Sequence, residues 1–318
     1  MEPRRVAVLS RSFSAHPQLR SELLARCPDA TFNDSGRTLA GDELVGFIDG
    51  HDAAVVALER LDAALLARLP GLRIIGKYGV GLDNVDLAAC QRLDIRVGWT
   101  GGVNRRSVSE LTLAFMIDAL RHVVRSNREI LGGQFRQIQG RQLSGRTVGV
   151  VGCGHVGKDV VRMLAPFGCR VLVNDLAPDA AFCAETGAQA VALDTLVAEA
   201  DVVTLHLPLT PATRLMFDAP RMAAMRRDAV LVNTARGGIV DEAALAAALR
   251  SGHLAAAAFD VFSPEPPVDD ALLALPNFIA TGHIGGSSAE AVLAMGRAAI
   301  DGLFQAVDAL SHVPAYLR

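Results

Sequence analysis

Short apolar runs alternate with amphipathic helical patterns along all 318 residues of this chain. The alternation is typical of β-α-β units, in which a helix connects two parallel strands. In the first part, the predicted strands are 6–9, 53–58, 72–75 and 95–97, and the predicted helices are 17–27, 42–48, 62–69 and 84–93. We expect Asp42 and Asp62 to cap the N-termini of their helices.

A second alternating series begins at Arg146, after a proline-free amphipathic stretch over 107–132 that predicts one or two helices. Its predicted strands are 147–151, 170–174, 201–205, 229–233, 255–259 and 278–280, and a helical pattern follows over 288–310. Six strands with intervening helices match a doubly wound nucleotide-binding domain. Parallel sheets that are buried on both faces need continuous apolar strands, which accounts for the hydrophobic fraction of 51%.

Composition and charge exclude several classes of protein. Lys and Arg total 31 and Asp and Glu total 34, so the net charge is −3 and no basic field is present to bind nucleic acid or a membrane surface. The apolar runs, such as 254–259, are far shorter than the roughly 20 residues of a spanning helix. The apolar segment after Arg5 is too short for a signal peptide.

The cysteines are far apart and include no C-x-x-C pair; they are Cys27, Cys90, Cys153, Cys169 and Cys183. An odd number at loose spacing argues against a disulfide framework and against a structural zinc site. We therefore expect reduced thiols, no metal and a cytoplasmic location.

The strongest local motif is the run GCGHVG from Gly152 to Gly157, directly after a predicted strand and at the start of a predicted helix. Gly152 suits the tight turn, Gly154 lets the backbone approach a pyrophosphate, and Gly157 lets the helix pack on the strand. The amides of the helix N-terminus suit the phosphates. Asp175, 18 residues beyond Gly157, can accept hydrogen bonds from ribose hydroxyls and would repel a 2′-phosphate. The motif therefore predicts NAD rather than NADP; a glycine turn without ligand and an FAD site are the alternatives.

Three further segments each follow a predicted strand: NTARGGIVDE at 233–242, DVFSPEPP at 260–267 and TGHIGG at 281–286. The carboxyl ends of parallel strands meet at the sheet edge where ligands bind, so Arg236, Glu265 and His283 can converge there. Taken singly, each has an ordinary structural explanation: a loop ion pair for Arg236, a solvated turn for Glu265 and a satisfied loop histidine for His283.

Together these residue types suit hydride transfer at a 2-hydroxy or 2-oxo acid. Arg236 can bind the substrate carboxylate and polarise the 2-oxo group. His283 can exchange the hydroxyl proton, and Glu265 can orient the imidazole ring through its other nitrogen. The hydride itself passes between substrate C2 and the nicotinamide.

The quoted segments, together with GVGLDNVD at 79–86, resemble those of the D-isomer-specific 2-hydroxyacid dehydrogenases, and within them the D-3-phosphoglycerate dehydrogenase group. The resemblance covers nearly the whole chain and is densest over 77–286. It implies Arg236, Glu265 and His283 as the catalytic residues. The cofactor contacts that the motif and the resemblance give are Val80, Gly152, Gly154, His155, Val156, Gly157, Asp175, Leu207, Thr234, Asp260 and Gly286. The substrate contacts are Val80, Gly81, Asn104 and Arg236.

The resemblance also implies the architecture: a Rossmann NAD-binding domain over 99–285, inserted into a flavodoxin-like substrate domain formed by 1–98 and 286–318. The stretch over 107–132 resembles the helix that builds the family's homodimer. Few residues remain after the last predicted helix, so we expect no C-terminal regulatory domain.

Two departures from the family bear on function. Gly282 stands where the family usually has proline before the catalytic histidine. Phosphoglycerate dehydrogenases tend to have an arginine after the strand at 53–58, whereas this chain has Glu59 beside Arg60; Lys77, Arg105 and Arg106 are alternative sources of positive charge.

We expect a homodimeric, NAD-dependent dehydrogenase or reductase of small 2-hydroxy and 2-oxo acids, with 3-phosphoglycerate as one candidate substrate. The alternatives are an NAD-sensing co-regulator without catalysis and a relative that oxidises formate or phosphite.

Overall fold

The chain forms two compact units in a computed structural model that describes residues 5–268 and 270–313. The first unit comprises Met1–Asn104 and Ala289–Arg318, and the second comprises Arg105–Ser288. The expected domain boundaries, at 98/99 and 285/286, lie within six residues of these limits. The outermost residues of the expected substrate domain, 1–4 and 314–318, lie outside the described residues.

The strands within the described ranges are β1 Val6–Val8, β2 Thr31–Phe32, β3 Ala53–Val56, β4 Ile74–Lys77, β5 Arg96–Gly98, β6 Thr147–Val151, β7 Arg170–Asn174, β8 Gln189–Ala190, β9 Val202–Leu205, β10 Ala229–Asn233, β11 Leu254–Phe259, β12 Phe278–Ala280 and β13 Val307–Asp308. The helices there are α1 Arg11–Ser14, α2 Pro17–Leu24, α3 Gly41–Ile48, α4 Ala63–Leu66, α5 Leu87–Arg92, α6 Arg105–Arg121, α7 Val123–Leu131, α8 His155–Leu164, α9 Ala180–Thr186, α10 Leu193–Glu199, α11 Ala219–Ala224, α12 Glu242–Arg250, α13 Asp270–Leu273 and α14 Ala289–Gln305. Short 3-10 helices lie at Ala165–Phe167 and Ala309–His312.

The sheet of the first unit has the strand order β2-β1-β3-β4-β5-β13. The first five strands are parallel and follow the order 2-1-3-4-5 of flavodoxin-like folds, whereas β13 pairs antiparallel with β5. Helix α14 packs closely on this sheet, because glycines at the contact let the backbones approach: Gly302 of α14 lies against Gly98 of β5. The chain thus returns to complete the unit it began.

The sheet of the second unit is parallel throughout, in the order β8-β7-β6-β9-β10-β11-β12. Each face of this sheet is covered by its own hydrophobic cluster, and consecutive residues of a strand point to opposite faces. In β9, for example, Val202 belongs to one cluster and Val203 to the other. The strand order reverses between β6 and β9, which is the Rossmann arrangement. Both predicted fold types are therefore confirmed.

The strand positions were predicted more accurately than the helix ends. The strands at 147–151, 170–174, 229–233 and 278–280 have the predicted bounds. β2, β8 and β13 were missed because each is only two residues long. The helical pattern over 288–310 was too long, since α14 ends at Gln305 and β13 follows. The stretch over 107–132 forms two helices, divided at His122, which has a left-handed backbone with φ of +57°.

Of the two predicted helix caps, Asp62 is confirmed: its Oδ1 accepts from the N–H of Leu65 at 3.0 Å. Asp42 was wrong, because α3 begins one residue earlier, at Gly41, and Ala40 occupies the capping position. Asp42 instead lies in the first helical turn, where a carboxylate stabilises the positive end of the helix dipole. No helix among the described residues is long and apolar enough to cross a membrane.

Candidate active site

The glycine-rich run lies at the carboxyl end of β6, beside the point where the strand order of the sheet reverses. Gly152 turns the chain with a φ of +91°, and a Cβ there would overlap the carbonyl oxygen of His206. A Cβ on Gly157 would overlap the carbonyl oxygen of Gly152. The first and third glycines are therefore required by packing within the protein.

Gly154 differs from these two glycines, because, apart from its chain neighbours, no atom of the described residues lies within 4 Å of the place where its Cβ would be. It occupies the capping position of α8, and no side chain caps this helix. A ten-residue helix with an uncapped N-terminus and open space in front of it suits a diphosphate.

Asp175, after β7, lies close to the glycine-rich run. Its Oδ2 accepts from the N–H of Cys153 at 2.7 Å and its Oδ1 accepts from the N–H of Ala177 at 3.0 Å. These bonds fix the carboxylate and leave lone pairs on both oxygens for ribose hydroxyls. The residues present therefore fit an NAD molecule: glycine turn, uncapped helix and oriented carboxylate.

The remaining predicted cofactor residues of this unit follow other strands at the same sheet edge. Leu207 follows β9, and its side chain lies against Gly152. Thr234 follows β10 and is buried, with its hydroxyl 2.9 Å from the hydroxyl of Thr112. Gly286 follows β12 and is partly exposed.

His283 and Glu265 meet directly. The imidazole Nδ1 of His283 donates to Oε2 of Glu265 at 2.8 Å, and both side chains are partly exposed. Oε1 of Glu265 accepts from the N–H of Phe262 at 3.0 Å, which fixes the carboxylate from behind. The contact joins the loops that follow β11 and β12, and it leaves Nε2 of His283 as the imidazole nitrogen that can exchange a proton with a ligand.

Asp260 organises the loop that carries His283. Its side chain is 1% exposed and accepts from the Thr281 hydroxyl at 2.5 Å and from the N–H groups of Ile284 and Gly285 at 2.8 Å each. Its backbone carbonyl accepts from the N–H of His283 at 2.9 Å. Sequence reasoning gave Asp260 a cofactor contact but missed this structural role.

Arg236 lies in a tight loop after β10. Buried Asn233 holds this loop: its Nδ2 donates to the carbonyl of Arg236 at 2.9 Å, and its Oδ1 accepts from Ala235 at 3.0 Å. A Cβ on Gly237 would overlap the carbonyl of Phe262, so the Arg236 loop packs on the segment that leads to Glu265. Asn233 was also missed, although its place directly after an apolar strand is a usable signal.

The predicted substrate loop belongs to the first unit, after β4. The backbone N–H groups of Gly79, Val80 and Gly81 donate to no acceptor in the described part of the chain, and all three residues are partly exposed. Successive amides without acceptors suit an anion. Asn104, also in this unit, is buried, and its Oδ1 has no hydrogen-bond partner among the described residues.

The three cations considered for a substrate phosphate, Lys77, Arg105 and Arg106, all interact with other groups of the protein. Lys77 is buried, and its Nζ donates to the carbonyl of Ala57 at 2.5 Å. Arg106 pairs with Asp159 at 2.9 Å. No cluster of three or more His, Cys, Asp or Glu residues that could hold a metal occurs among the described residues.

Comparison with known proteins identifies the family. The model of the D-isomer-specific 2-hydroxyacid dehydrogenase NAD-binding domain matches residues 113–285, which is more than half of the chain. The chain belongs to the D-isomer-specific 2-hydroxyacid dehydrogenase family. It is an NAD-dependent oxidoreductase of the class that acts on CH–OH groups.

Relatives in this family have different substrates. The chain is 36% identical to the hydroxypyruvate reductase of Thermotoga maritima over 84% of this chain and 88% of the relative. It is 42% identical to the (S)-sulfolactate dehydrogenase of Chromohalobacter salexigens over 73% of this chain and 76% of the relative. D-3-phosphoglycerate dehydrogenases of Mycobacterium tuberculosis also match at 38% identity, and the match spans about half of their length.

Among solved structures, the glyoxylate reductase of Paecilomyes thermophila superimposes with a TM-score of 0.86 at 26% identity, over 96% of this chain and 95% of the other. The family, the fold and the cofactor class are thus shown.

Proposed function

We propose that this dehydrogenase interconverts a small, unphosphorylated 2-oxo acid and its D-2-hydroxy acid. The contact between His283 and Glu265, on loops that follow adjacent parallel strands of the NAD-binding unit, carries the proposal. A histidine whose Nδ1 is held by a carboxylate is oriented to exchange a proton at Nε2.

A bound NAD, held at the Gly152–Gly157 run and Asp175, would supply the hydride acceptor for substrate C2, and NADH would supply the hydride donor. His283 takes the hydroxyl proton at Nε2 during oxidation and returns it to the oxygen during reduction. Glu265 keeps the ring in one orientation through Nδ1. Arg236 presents a planar cation that binds the carboxylate and polarises the 2-oxo group.

The substrate carboxylate is proposed to bind the amides of Gly79, Val80 and Gly81. These donors have no other acceptor among the described residues, and a carboxylate accepts from several N–H groups at once. Asn104 is kept as a proposed substrate contact, since its buried Oδ1 has no hydrogen-bond partner among the described residues.

A phosphorylated substrate is disfavoured in this proposal, because the cations suggested for it have other partners. Lys77 donates to a backbone carbonyl, Arg106 pairs with Asp159, and Arg105 also interacts within the protein. Two similar proteins are named hydroxypyruvate reductase and glyoxylate reductase, and these names favour a small, unphosphorylated 2-oxo acid as the substrate.

The proposal is tested by following NADH absorbance with hydroxypyruvate, glyoxylate, pyruvate, 3-sulfopyruvate and 3-phosphohydroxypyruvate. We expect turnover with hydroxypyruvate or glyoxylate and kcat/KM at least tenfold lower with the phosphorylated acid. Binding of NADH without reduction of any acid would refute the proposal and favour the non-catalytic alternative. Reduction of the phosphorylated acid at the highest kcat/KM would refute the assignment of substrate class.

His283→Ala provides the matched loss-of-function variant. We expect kcat to fall by about 10²-fold or more, consistent with loss of a general acid–base group. Its affinity for NADH, measured by fluorescence titration, should stay within about twofold of the wild-type value. Retained turnover would contradict the role given to His283.

We also propose that the discontinuous unit is the substrate domain and that the protein forms homodimers in the cytoplasm. Helix α7 supports the homodimer: none of its residues is buried, and Leu131 and nearby Phe135 are 79% and 90% exposed. An amphipathic helix with this much exposed apolar surface suits a second copy of the chain. The cytoplasmic location is supported by the cysteines, since all five are free thiols.

A further inference from the structure

Trp99, the only tryptophan of the chain, lies one residue after β5 and is partly buried. Its indole Nε1–H donates to the carbonyl oxygen of Val80 at 3.0 Å. Val80 belongs to the loop whose amides have no acceptor among the described residues. A large side chain of the first unit therefore holds the loop that is proposed to bind the substrate carboxylate.

The geometry of the peptide bond gives this contact a consequence. In a trans peptide, the C=O of one residue and the N–H of the next lie in one plane and point in opposite directions. Because Trp99 holds the carbonyl of Val80, the N–H of Gly81 must point away from the indole. That N–H is one of the three donors without an acceptor in the described part of the chain.

Trp99 is itself fixed by the 3-10 helix Ala309–His312. The rings of Trp99 and His312 pack edge to face, with centroids 5.4 Å apart and an interplanar angle of 77°. His312 donates through Nε2 to the carbonyl of Val97 at 2.7 Å, which fixes the imidazole ring on β5. The indole is therefore supported on the side of His312 and bonded at its nitrogen.

We propose that Trp99 is a positioning residue for substrate binding, which acts through the peptide between Val80 and Gly81. This inference rests on the proposed function, since it takes a carboxylate as the ligand of the loop. Without the indole donor, the carbonyl of Val80 can turn to water, because this residue is partly exposed. The peptide plane then rotates and the N–H of Gly81 loses its fixed direction.

Trp99→Phe tests the inference, because phenylalanine keeps an aromatic ring and removes the N–H. The net contribution of one hydrogen bond corresponds to about a two- to tenfold change in an equilibrium constant. We expect KM for the best 2-oxo acid of the panel to rise by about that factor, while kcat stays within about twofold. A merely structural role would instead lower kcat and the amount of active protein.

His312→Phe is the control, since it leaves the indole donor in place and keeps an aromatic ring against it. We expect its KM to stay within about twofold of the wild-type value. Thermal unfolding of both variants checks that they fold, and their unfolding midpoints should differ from wild type by no more than a few degrees.

A binding measurement separates this inference from the proposed function. Oxamate, an unreactive 2-oxo acid analogue, is titrated by calorimetry into wild type, Trp99→Phe and His312→Phe. We expect about two- to tenfold weaker binding to Trp99→Phe alone. In wild type, the fluorescence emission of the single tryptophan should change with oxamate concentration along the same saturation curve that calorimetry gives.

If wild type reduces 2-oxo acids and Trp99→Phe shows unchanged KM and oxamate affinity, the inference is overturned while the proposed function stands. If no 2-oxo acid is reduced but oxamate binds and Trp99→Phe weakens it, the inference stands and the proposed function fails. Absence of both turnover and oxamate binding would overturn both.

Discussion

At the scale of single residues, the backbone of His283 shows how the candidate site is built. His283 has a left-handed conformation, with φ of +57°, which costs a non-glycine residue roughly 1–2 kcal/mol. Asp260 offsets this cost, because it accepts hydrogen bonds from both sides of His283 as well as from its N–H. One buried carboxylate thus holds the loop on both sides of His283.

Asp260→Asn tests this arrangement. The Asp260 carboxylate accepts from three donors through two oxygens, whereas an amide has only one oxygen, so at least one donor would face an N–H group. A buried donor without a partner costs about 1–3 kcal/mol, and we expect a matching fall in the free energy of unfolding together with a large loss of kcat.

Asp241→Asn serves as the control for this substitution. Asp241 caps α12 by accepting from the N–H of Ala244, and asparagine caps helices equally well. The free energy of unfolding of this variant, from denaturant unfolding, and its kcat, from steady-state kinetics, should both be close to the wild-type values. An Asp260→Asn protein as stable and active as Asp241→Asn would contradict the role given to Asp260.

The buried thiols predict how stability depends on pH. Desolvation raises the pKa of Cys90 to about 12 and that of Cys153 to about 11. In the unfolded chain a thiol ionises near pH 8.5. Above that pH the unfolded state has lost protons that the folded state retains, so stability that is complete below pH 8.5 falls as pH rises towards 11–12.

Each fully protected thiol contributes up to about 1.4 kcal/mol per pH unit to this slope. Urea unfolding at several values between pH 8 and pH 10.5 should show this fall in the free energy of unfolding. In Cys90→Ala the fall from the variant's own value at pH 8 should be smaller than in wild type. Identical slopes in wild type and variant would show that Cys90 ionises equally in both states.

At the scale of elements, the turn from β6 to α8 combines two requirements in one short run. Gly157 and Gly152 are needed because backbone atoms approach closely, whereas Gly154 faces open space. The same spacing therefore serves both packing and ligand binding, and a pair of substitutions can separate them.

Gly157→Ala should destabilise the fold, because its methyl group would overlap the carbonyl oxygen of Gly152. Overpacking of this kind costs about 1–3 kcal/mol. Gly154→Ala should leave the unfolding midpoint nearly unchanged, since its Cβ would meet no other described residue within 4 Å beyond its chain neighbours, but should weaken NADH binding by about tenfold or more. Differential scanning fluorimetry and NADH titration measure the two effects; tight NADH binding by Gly154→Ala would contradict the cofactor site.

At the scale of the whole molecule, the exposed apolar surface around α7 bears on assembly. Phe135 and Leu131 expose most of their area to solvent in the isolated chain. Phe135→Asp would place a charge in the interface of the proposed homodimer, where an unpaired charge is costly. Light scattering after gel filtration should show a dimer for wild type and mostly monomer for Phe135→Asp.

Leu176→Asp is the matched control for assembly. Leu176, like Phe135, is largely exposed, at 81%, but it lies outside the α7 region. It should elute as wild type does. A monomeric wild-type protein, or dimers of unchanged stability in Phe135→Asp, would contradict the proposed interface.

The sequence by itself determined the fold class, the cofactor and the residues nominated for catalysis. Strands that are buried on both faces are continuous apolar runs, and such a run can be recognised in the sequence without knowing which strands lie beside it. The motif GCGHVG can also be recognised locally, because its six residues span the single turn from β6 into α8. The positions of Arg236, Glu265 and His283 after strands followed from the rule that the carboxyl ends of parallel strands meet at one edge.

Only the tertiary structure decided how these residues are held. The bonds from Asp260 to the His283 loop, from Asn233 to the Arg236 loop and from Trp99 to Val80 join residues whose pairing no periodicity indicates. Two-residue strands such as β2 and β13 likewise form only because a neighbouring strand is already present. Local patterns predict which elements exist, whereas the direction of a side chain depends on contacts between loops that only the folded sheet brings together.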